Sequence, residues 1–153
     1  MSDQLKDNAH VSIITIQSEE GLEIMRHTLT AQVLARAIKN LYPKSKLAIG
    51  PTIEDGFYYD VESEEVISSD DLIKIEDEMK NIIKTKSLLT KKLVSKSEAL
   101  KIFKEKKEPF KEIIINESNQ KNDFQLYYQD NEEFVDLCRG PHLPNLVFIV
   151  SFK

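Results

Sequence analysis

Residues 21–42 read GLEIMRHTLTAQVLARAIKNLY, and this stretch decides the fold. Its apolar residues recur at intervals of three and four, which places their side chains on one face of a helix. Ser18 is a typical capping residue, and Glu19 and Glu20 fall where the helix dipole favours acids. Pro43 ends the pattern because proline cannot continue a helix. The sequence therefore predicts a long amphipathic helix. Its buried face is formed by Leu22, Met25, Leu29, Val33, Leu34, Ala37, Ile38 and Leu41.

The rest of the chain alternates between strand-like and helix-like segments. Gly50-Pro51 and Asp55-Gly56 are turn signals between short β-rich runs. A second helix is predicted from residues 68–71 to about residue 86, and a third begins at Ser95 with Glu98 three residues later as a capping box. The predicted fold class is α+β, a mostly antiparallel sheet packed with the long helix and two further helices. The predicted strands cover residues 11–17, 47–49, 57–61, 88–94, 110–116, 124–128, 134–135 and 146–152.

The composition excludes several classes of protein. With 153 residues, 41% of them hydrophobic and 31% charged, the chain is expected to be a soluble globular protein with one core. One cysteine cannot form an internal disulfide, and no secretory signal or membrane span is visible, so we expect a cytoplasmic location and no membrane partner. A net charge of −5 argues against a protein that binds nucleic acid over its whole surface. Lysines concentrated in residues 84–96 and 101–111 leave room for a local basic face.

Residues 135–142, VDLCRGPH, hold the sole cysteine four residues before a histidine. If Cys138 and His142, in C-x-x-x-H spacing, form one half of a metal or catalytic site, a second pair of nitrogen or sulfur ligands should lie elsewhere. His10 and His27 are the candidates. His10 lies in the polar N-terminal tail and is expected to be solvated, whereas His27 lies inside the long helix.

Three separated motifs carry a resemblance to a known family. They are EGLEIMRHTLTAQVLARAIKNLYP (20–43), LAIGPTIEDGFYYDV (47–61) and FVDLCRGPHLPN (134–145). In this order they resemble the editing domain of bacterial threonyl-tRNA synthetase, which is similar to the editing domains of alanyl-tRNA synthetase. The resemblance covers residues 11–153. It implies an editing domain at 18–153, with 1–17 as a remnant of the end of the preceding ubiquitin-like domain.

The resemblance also implies a reaction, the hydrolysis of seryl-tRNA of the threonine isoacceptor. Serine lacks only a methyl group of threonine, and such a difference gives only about 10- to 200-fold discrimination, so a second, hydrolytic site is needed. The implied partner is the acceptor end of a mischarged tRNA, with a synthetase core in cis or in trans. Because no segment resembles the aminoacylating core, we expect that the chain cannot charge tRNA alone, whether it is freestanding, excised or the product of a shortened gene.

Site residues follow from the matching motif positions. In the family, the helical residues line the ester, and the later groups hold the amino acid and a water that attacks an already activated ester. The resemblance implies catalytic roles for His27, Lys111, Asp136, Cys138 and His142. It implies substrate contacts for Thr28, Gln32, Tyr59 and Arg139.

The helix motif departs from the family pattern R-H-S-x-A-H-V. Here residues 26–33 read RHTLTAQV, so one extra residue follows His27 and Gln32 replaces the second histidine. Five residues turn a helix by about 500°, which leaves the pair about 140° from a shared face. Either a π-bulge absorbs the extra residue and restores His27 to the pocket, or Thr28 takes the first position. The buried upstream stripe favours the bulge.

Two alternative functions stay open. Gln32 is a poor zinc ligand, and Cys138, His142 and His27 give at most three donors, so no metal or other cofactor is expected. A zinc-dependent hydrolase acting on alanine-accepting tRNA, as in the alanine-specific relatives, is therefore the weaker alternative. The other alternative is a degenerate domain that binds the acceptor end without hydrolysis, because the helix motif is altered.

Overall fold

The computed structural model describes residues 8–130 and 133–152. Residues 19–41 form one continuous helix in three parts: α1 (Glu19–Thr28), a π-helical segment (Leu29–Leu34) and α2 (Ala35–Leu41). Ser18 Oγ accepts a hydrogen bond from Gly21 N at 3.1 Å and caps the start. The predicted helix, its cap and its end before Pro43 are confirmed. The π-helical segment also confirms that a π-bulge absorbs the extra residue.

Two small antiparallel pairs follow the long helix. The strands are β1 (Lys46–Leu47), β2 (Thr52–Ile53), β3 (Gly56–Phe57) and β4 (Val61–Glu62). β1 pairs with β4, and β2 pairs with β3 across the predicted Asp55-Gly56 turn. The predicted hairpin is confirmed, but its return strand is divided between β3 and β4. These pairs hold residues 50–59 near the long helix, where Thr30 Oγ1 donates to the Tyr58 carbonyl at 2.8 Å.

The second half of the chain builds a three-stranded antiparallel sheet. Helix α3 (Asp71–Lys84) leads into β5 (Leu89–Val94), and α4 (Lys96–Glu105) follows, capped by Ser95 Oγ, which accepts from Glu98 N at 3.3 Å. After α5 (Pro109–Glu117), strands β6 (Phe124–Gln129) and β7 (Phe134–Leu137) complete the order β5-β6-β7. A short 3-10 turn, Leu146–Phe148, comes last. The α+β class with antiparallel pairing is confirmed.

Three predicted strands are absent from the described residues. Residues 110–116 lie in helix α5, because Pro109 suits the first helical turn and Lys111 and Ile115, four apart, are both buried. Residues 11–15 have no regular secondary structure and residues 16–17 lie in a turn, and Ile13 is 92% exposed. Residues 146–152 begin with the 3-10 turn, where Asn145 Oδ1 accepts from Val147 N at 2.7 Å. The strands therefore form three small sheets and not one, packed with more helices than predicted.

Strand β7 lies between two hydrophobic cores, and this placement positions the site. Phe134 belongs to the core formed with the long helix and α3, whereas Val135 belongs to the core formed with α4 and α5. Alternate residues of a strand share a face, so Asp136 and Cys138 face the same side as Phe134, toward the long helix. No helix in the described part of the chain is long and apolar enough to cross a bilayer. Residues 1–7 of the predicted remnant 1–17 lie outside the described residues.

Candidate active site between the long helix and strand β7

The end of β7 meets the last turn of α1 through a thiol–imidazole contact. Cys138 Sγ lies 3.1 Å from His27 Nε2 and accepts a weak hydrogen bond from Gly140 N at 3.5 Å. Burial raises the pKa of the Cys138 thiol to about 11, and the nearby Asp136 carboxylate acts in the same direction. The sulfur is therefore a neutral S–H at physiological pH. Burial also lowers the pKa of His27, although a hydrogen bond with Pro141 opposes that shift, so the thiol can donate to a neutral imidazole.

His142 is held by the loop that follows the cysteine. The Gly140–Pro141 peptide is cis, and Gly140 has a φ of 65°. A Cβ at Gly140 would come within 2.1 Å of Tyr127 Oη, so this close approach requires glycine. The His142 ring packs edge-on against Tyr127 and lies 4.5 Å, centroid to centroid, from the His27 ring.

His142 is a buried and neutral imidazole. Only 1% of the residue is exposed, and burial lowers its pKa to about 3, with a smaller contribution from His27. Its Nδ1 lies 3.4 Å from Thr28 Oγ1. Its Nε2 is buried and finds no hydrogen-bond partner among the described residues. Such an atom is unusual, because nearly all buried polar groups are hydrogen-bonded.

A second cluster is built around a buried ion pair. Lys111 Nζ lies 2.7 Å from Asp136 Oδ1, and both side chains are 3% exposed. Lys111 also donates to Tyr59 Oη at 3.0 Å, and Tyr59 donates to Asp136 Oδ2 at 3.1 Å. Burial, reinforced by Asp136, raises the pKa of Tyr59 far above its usual range, which keeps the phenol protonated. Gly50 leaves room for the Tyr59 ring, since a Cβ there would lie 2.3 Å from Tyr59 Cδ2.

The two clusters are neighbours along β7. Asp136 and Cys138 are two residues apart on one face of the strand. The charges of Asp136 and Lys111 both affect the pKa of Cys138, and Asp136 also affects that of His27. The charge of the Asp136 carboxylate therefore affects the pKa values of groups in the other cluster as well.

Gln32 is hydrogen-bonded to strand β6. It is fully buried, and Gln129 Nε2 donates to its backbone oxygen at 2.7 Å and to its Oε1 at 3.1 Å. Gln129 in turn accepts from Arg36 Nη1 at 3.0 Å. Gln32 Nε2 has no partner in the part of the chain that is described. Arg139 is exposed, and its guanidinium makes no hydrogen bond within residues 8–130 and 133–152.

Two openings give access to these groups. His27, Gly140 and Pro141 line an open cavity of about 430 Å³, which Glu20 and Glu23 also line. Lys111 and Asp136 line a second cavity of about 330 Å³ together with Arg36, Lys39 and Lys106. Both volumes fall in the range of small-ligand sites.

His27, Cys138 and His142 each offer one atom that could bind a metal ion. These three atoms lie within 4.8 Å of one another. Catalytic zinc sites use three protein ligands and a water, so this set is sufficient in number. The second-histidine position of the family motif holds Gln32, however, whose amide oxygen already accepts from Gln129. Gln32 therefore does not add a fourth ligand to these three residues.

Sequence reasoning named most of these groups but missed several contacts. Tyr127, Gln129 and Arg36 were not predicted as neighbours of the site. The one available signal was the Gly140-Pro141 pair, which marks a sharp turn able to bring His142 back against the sheet.

Comparison with known proteins gives consistent matches. Residues 125–153 match the family described as "Threonyl and Alanyl tRNA synthetase second additional domain". The chain is 46% identical over 149 residues to the threonine–tRNA ligase of Prochlorococcus marinus (strain MIT 9515), covering 97% of the chain and 23% of the relative. It is 46% identical over 153 residues to threonine–tRNA ligase 2 of Bacillus subtilis (strain 168), covering 100% and 24%.

The fold and the matches define the chain as a tRNA-synthetase editing-type module. The chain belongs to the editing-domain modules of threonyl-tRNA synthetase, as the three sequence motifs implied. It spans about a quarter of the length of the curated relatives it matches.

Proposed function

We propose that this chain hydrolyses the ester bond of seryl-tRNA of the threonine isoacceptor. The observation that carries the proposal is the Nε2 of the buried, neutral His142, which lies close to His27 and Cys138 and has no hydrogen-bond partner within residues 8–130 and 133–152. A neutral imidazole with a free nitrogen can take a proton from water, and the pKa of the group ensures that it is unprotonated at neutral pH. The unit that performs this reaction is residues 18–153, with 1–17 as the end of a preceding domain.

The chemistry is a simple ester hydrolysis. Water attacks the ester carbonyl as its proton passes to an imidazole, and the C–O bond to the ribose then breaks with the ribose oxygen taking up a proton. His142 holds the water in this scheme, and His27 lines the ester. Tyr59, Lys111 and Asp136 hold the amino acid, and their mutual hydrogen bonds fix them before substrate arrives. Gln32 and Arg139 are assigned contacts with the substrate at the edge of this site.

The acceptor end of tRNA is the proposed partner, together with a synthetase core in cis or in trans. The net charge of −5 suits a module that touches only one end of a tRNA. The lysines of residues 84–96 and 101–107 supply the proposed phosphate-facing edge, whereas Lys111 is buried in its ion pair with Asp136 and is not part of it. If this edge binds phosphates, affinity for tRNA falls as salt rises, and salt-independent binding would count against it.

The test is deacylation of seryl-tRNA of the threonine isoacceptor by the purified chain. His142→Ala is expected to lower the rate about 100-fold or more, the usual contribution of a general base. His10→Ala is the matched control, because His10 is exposed. Undiminished serine release by His142→Ala would refute the assignment of this histidine, and no release by the natural chain would refute the proposed function.

Binding without hydrolysis is the second candidate, and the position of Gln32 favours it. Its amide is tied to Gln129 on strand β6 and replaces an imidazole of the family motif. Recovery of activity in Gln32→His, with none in the natural chain, would support a domain kept for binding alone. The zinc-dependent alternative is tested separately by metal analysis of purified protein, where one zinc per chain would overturn the metal-free prediction.

A further inference from the structure

The hydroxyl of Thr28 makes three contacts at a fully buried position. Thr28 Oγ1 donates to the Ile24 carbonyl at 2.8 Å and accepts from Leu143 N at 2.9 Å. Its third contact is His142 Nδ1 at 3.4 Å. Thr28 is the last residue of α1, directly before the π-helical segment, so the altered part of the helix brings it to the loop that carries His142.

The direction of the third contact follows from a count of hydrogens. A hydroxyl has one hydrogen and two lone pairs. The Ile24 carbonyl can only accept, so it takes the one hydrogen, and the Leu143 amide occupies one lone pair. His142 Nδ1 therefore faces the remaining lone pair. A bare Nδ1 there would be repelled, whereas an Nδ1–H would donate a weak hydrogen bond.

The protonation state of the other ring nitrogen, His142 Nε2, follows from that of Nδ1. A neutral imidazole carries one hydrogen, so an Nδ1–H leaves Nε2 with a lone pair. This is the buried atom that has no partner in the described part of the chain. The opposite tautomer would place an N–H at that position, and an N–H cannot accept a proton.

We propose that Thr28 is a positioning residue, which holds His142 in the Nδ1–H tautomer and so keeps the Nε2 lone pair available for the proton of the attacking water. The effect of Thr28 on the reaction rate rests on the proposed hydrolysis, whereas its effect on the tautomer does not. In the step itself, the water O–H bond breaks, the oxygen bonds to the ester carbonyl carbon and the proton passes to Nε2. Thr28 thus acts through His142, and its hydroxyl has no lone pair or hydrogen left for substrate.

Thr30 supplies a matched control variant. It is also fully buried in the long helix, and its hydroxyl also donates to a backbone carbonyl, that of Tyr58. Thr30→Val removes the same groups as Thr28→Val, two positions away and without touching His142. Thr28→Ser keeps the hydroxyl and removes only a methyl group.

The experiment is ¹⁵N NMR of the histidine side chains in metal-free protein, with His142→Gln used for assignment. The natural chain, Thr28→Ser and Thr30→Val are expected to show His142 with a protonated Nδ1 and an unprotonated Nε2. Thr28→Val is expected to shift His142 toward the Nε2–H tautomer and to slow seryl-tRNA deacylation about tenfold or more, as a wrong tautomer does elsewhere. Thr28→Ser and Thr30→Val should retain the natural rate.

The two proposals fail in different ways. An Nε2–H tautomer in the natural chain, or an unchanged tautomer in Thr28→Val, overturns the role of Thr28 whatever the deacylation assay gives. A natural chain with the expected tautomer but no deacylation refutes the hydrolytic function instead. If Thr28→Val does not fold, a loss of the tautomer or of the rate in Thr28→Ser would by itself contradict the inference.

Discussion

The two clusters of the candidate site differ in how completely their polar atoms are partnered. In the cluster around Asp136, each carboxylate oxygen has a partner, and Lys111 and Tyr59 also contact each other. In the cluster around Cys138, His142 Nε2 is buried with no partner among the described residues. A saturated network fixes positions, whereas an unsaturated atom is able to bind a water or a reacting group. The difference assigns positioning to one cluster and chemistry to the other.

The largest expected effect on stability comes from removing the cation of the cluster around Asp136. Lys111→Met leaves the buried Asp136 carboxylate without its cation, which is expected to lower the free energy of unfolding by about 3–5 kcal/mol. Urea denaturation measures this loss. Lys44→Met is the control, because the Lys44–Glu64 pair is exposed on both sides and contributes only about 0–1 kcal/mol. Equal effects from the two variants would mean that the Lys111–Asp136 pair is not effectively buried.

The next effect concerns the thiol of the other cluster. With its pKa raised from 9.0 to about 11, Cys138 holds about 100-fold less thiolate at pH 8 than an ordinary cysteine. Alkylation by iodoacetamide, followed by mass spectrometry, should therefore be about 100-fold slower in the folded chain than in the chain unfolded by urea. The rate should keep rising up to about pH 10 without a plateau. A fast reaction that levels off near neutral pH would identify a thiolate and an activated nucleophile.

Much of the fold was predictable because it depends on local patterns. The predicted stripe is buried or half-buried from Met25 to Ile38, whereas Leu22 and Leu41 at its two ends are exposed. The extra residue after His27 is absorbed within the helix by the π-helical segment, which keeps this central part on one face. Residues 110–116 were predicted as a strand because FKEIIIN is β-branched and short. Only tertiary packing, which buries Lys111 and Ile115 together, reveals the helix.

The site was predictable as a set of residues but not as a geometry. Cys138 and His142 came from a motif, and His27 was the remaining candidate among the histidines. The contact between Thr28 and His142 joins residues 114 positions apart, and no local pattern contains it. The distinction between the partnered and unpartnered clusters is likewise a property of distances, which side-chain identity alone does not give.

The next prediction concerns how stability depends on pH through His142, in the cluster around Cys138. The pKa of His142 is lowered from 6.5 to about 3 in the folded chain, so the unfolded chain binds this proton more tightly. Stability is therefore lost as pH falls from about 6.5 toward 3, by about 1.4 kcal/mol per pH unit. Between pH 6.5 and 5, the natural chain should lose about 1.6 kcal/mol more than His142→Gln, because at pH 6.5 the unfolded histidine is only half protonated. Urea denaturation at each pH measures this, and His10→Gln, at an exposed position, should behave like the natural chain.

The smallest effect comes from removing one member of the saturated cluster without breaking its ion pair. Tyr59→Phe deletes the hydroxyl that links Lys111 to Asp136, but those two groups remain 2.7 Å apart and continue to partner each other. The expected loss in unfolding free energy is about 1 kcal/mol, the net contribution of a typical hydrogen bond. Tyr58→Phe, at a residue that is 47% exposed, should change nothing measurable in the same denaturation assay. A loss from Tyr59→Phe as large as that from Lys111→Met would mean that the phenol is an indispensable partner of the carboxylate, and the cluster would then depend on all three groups equally.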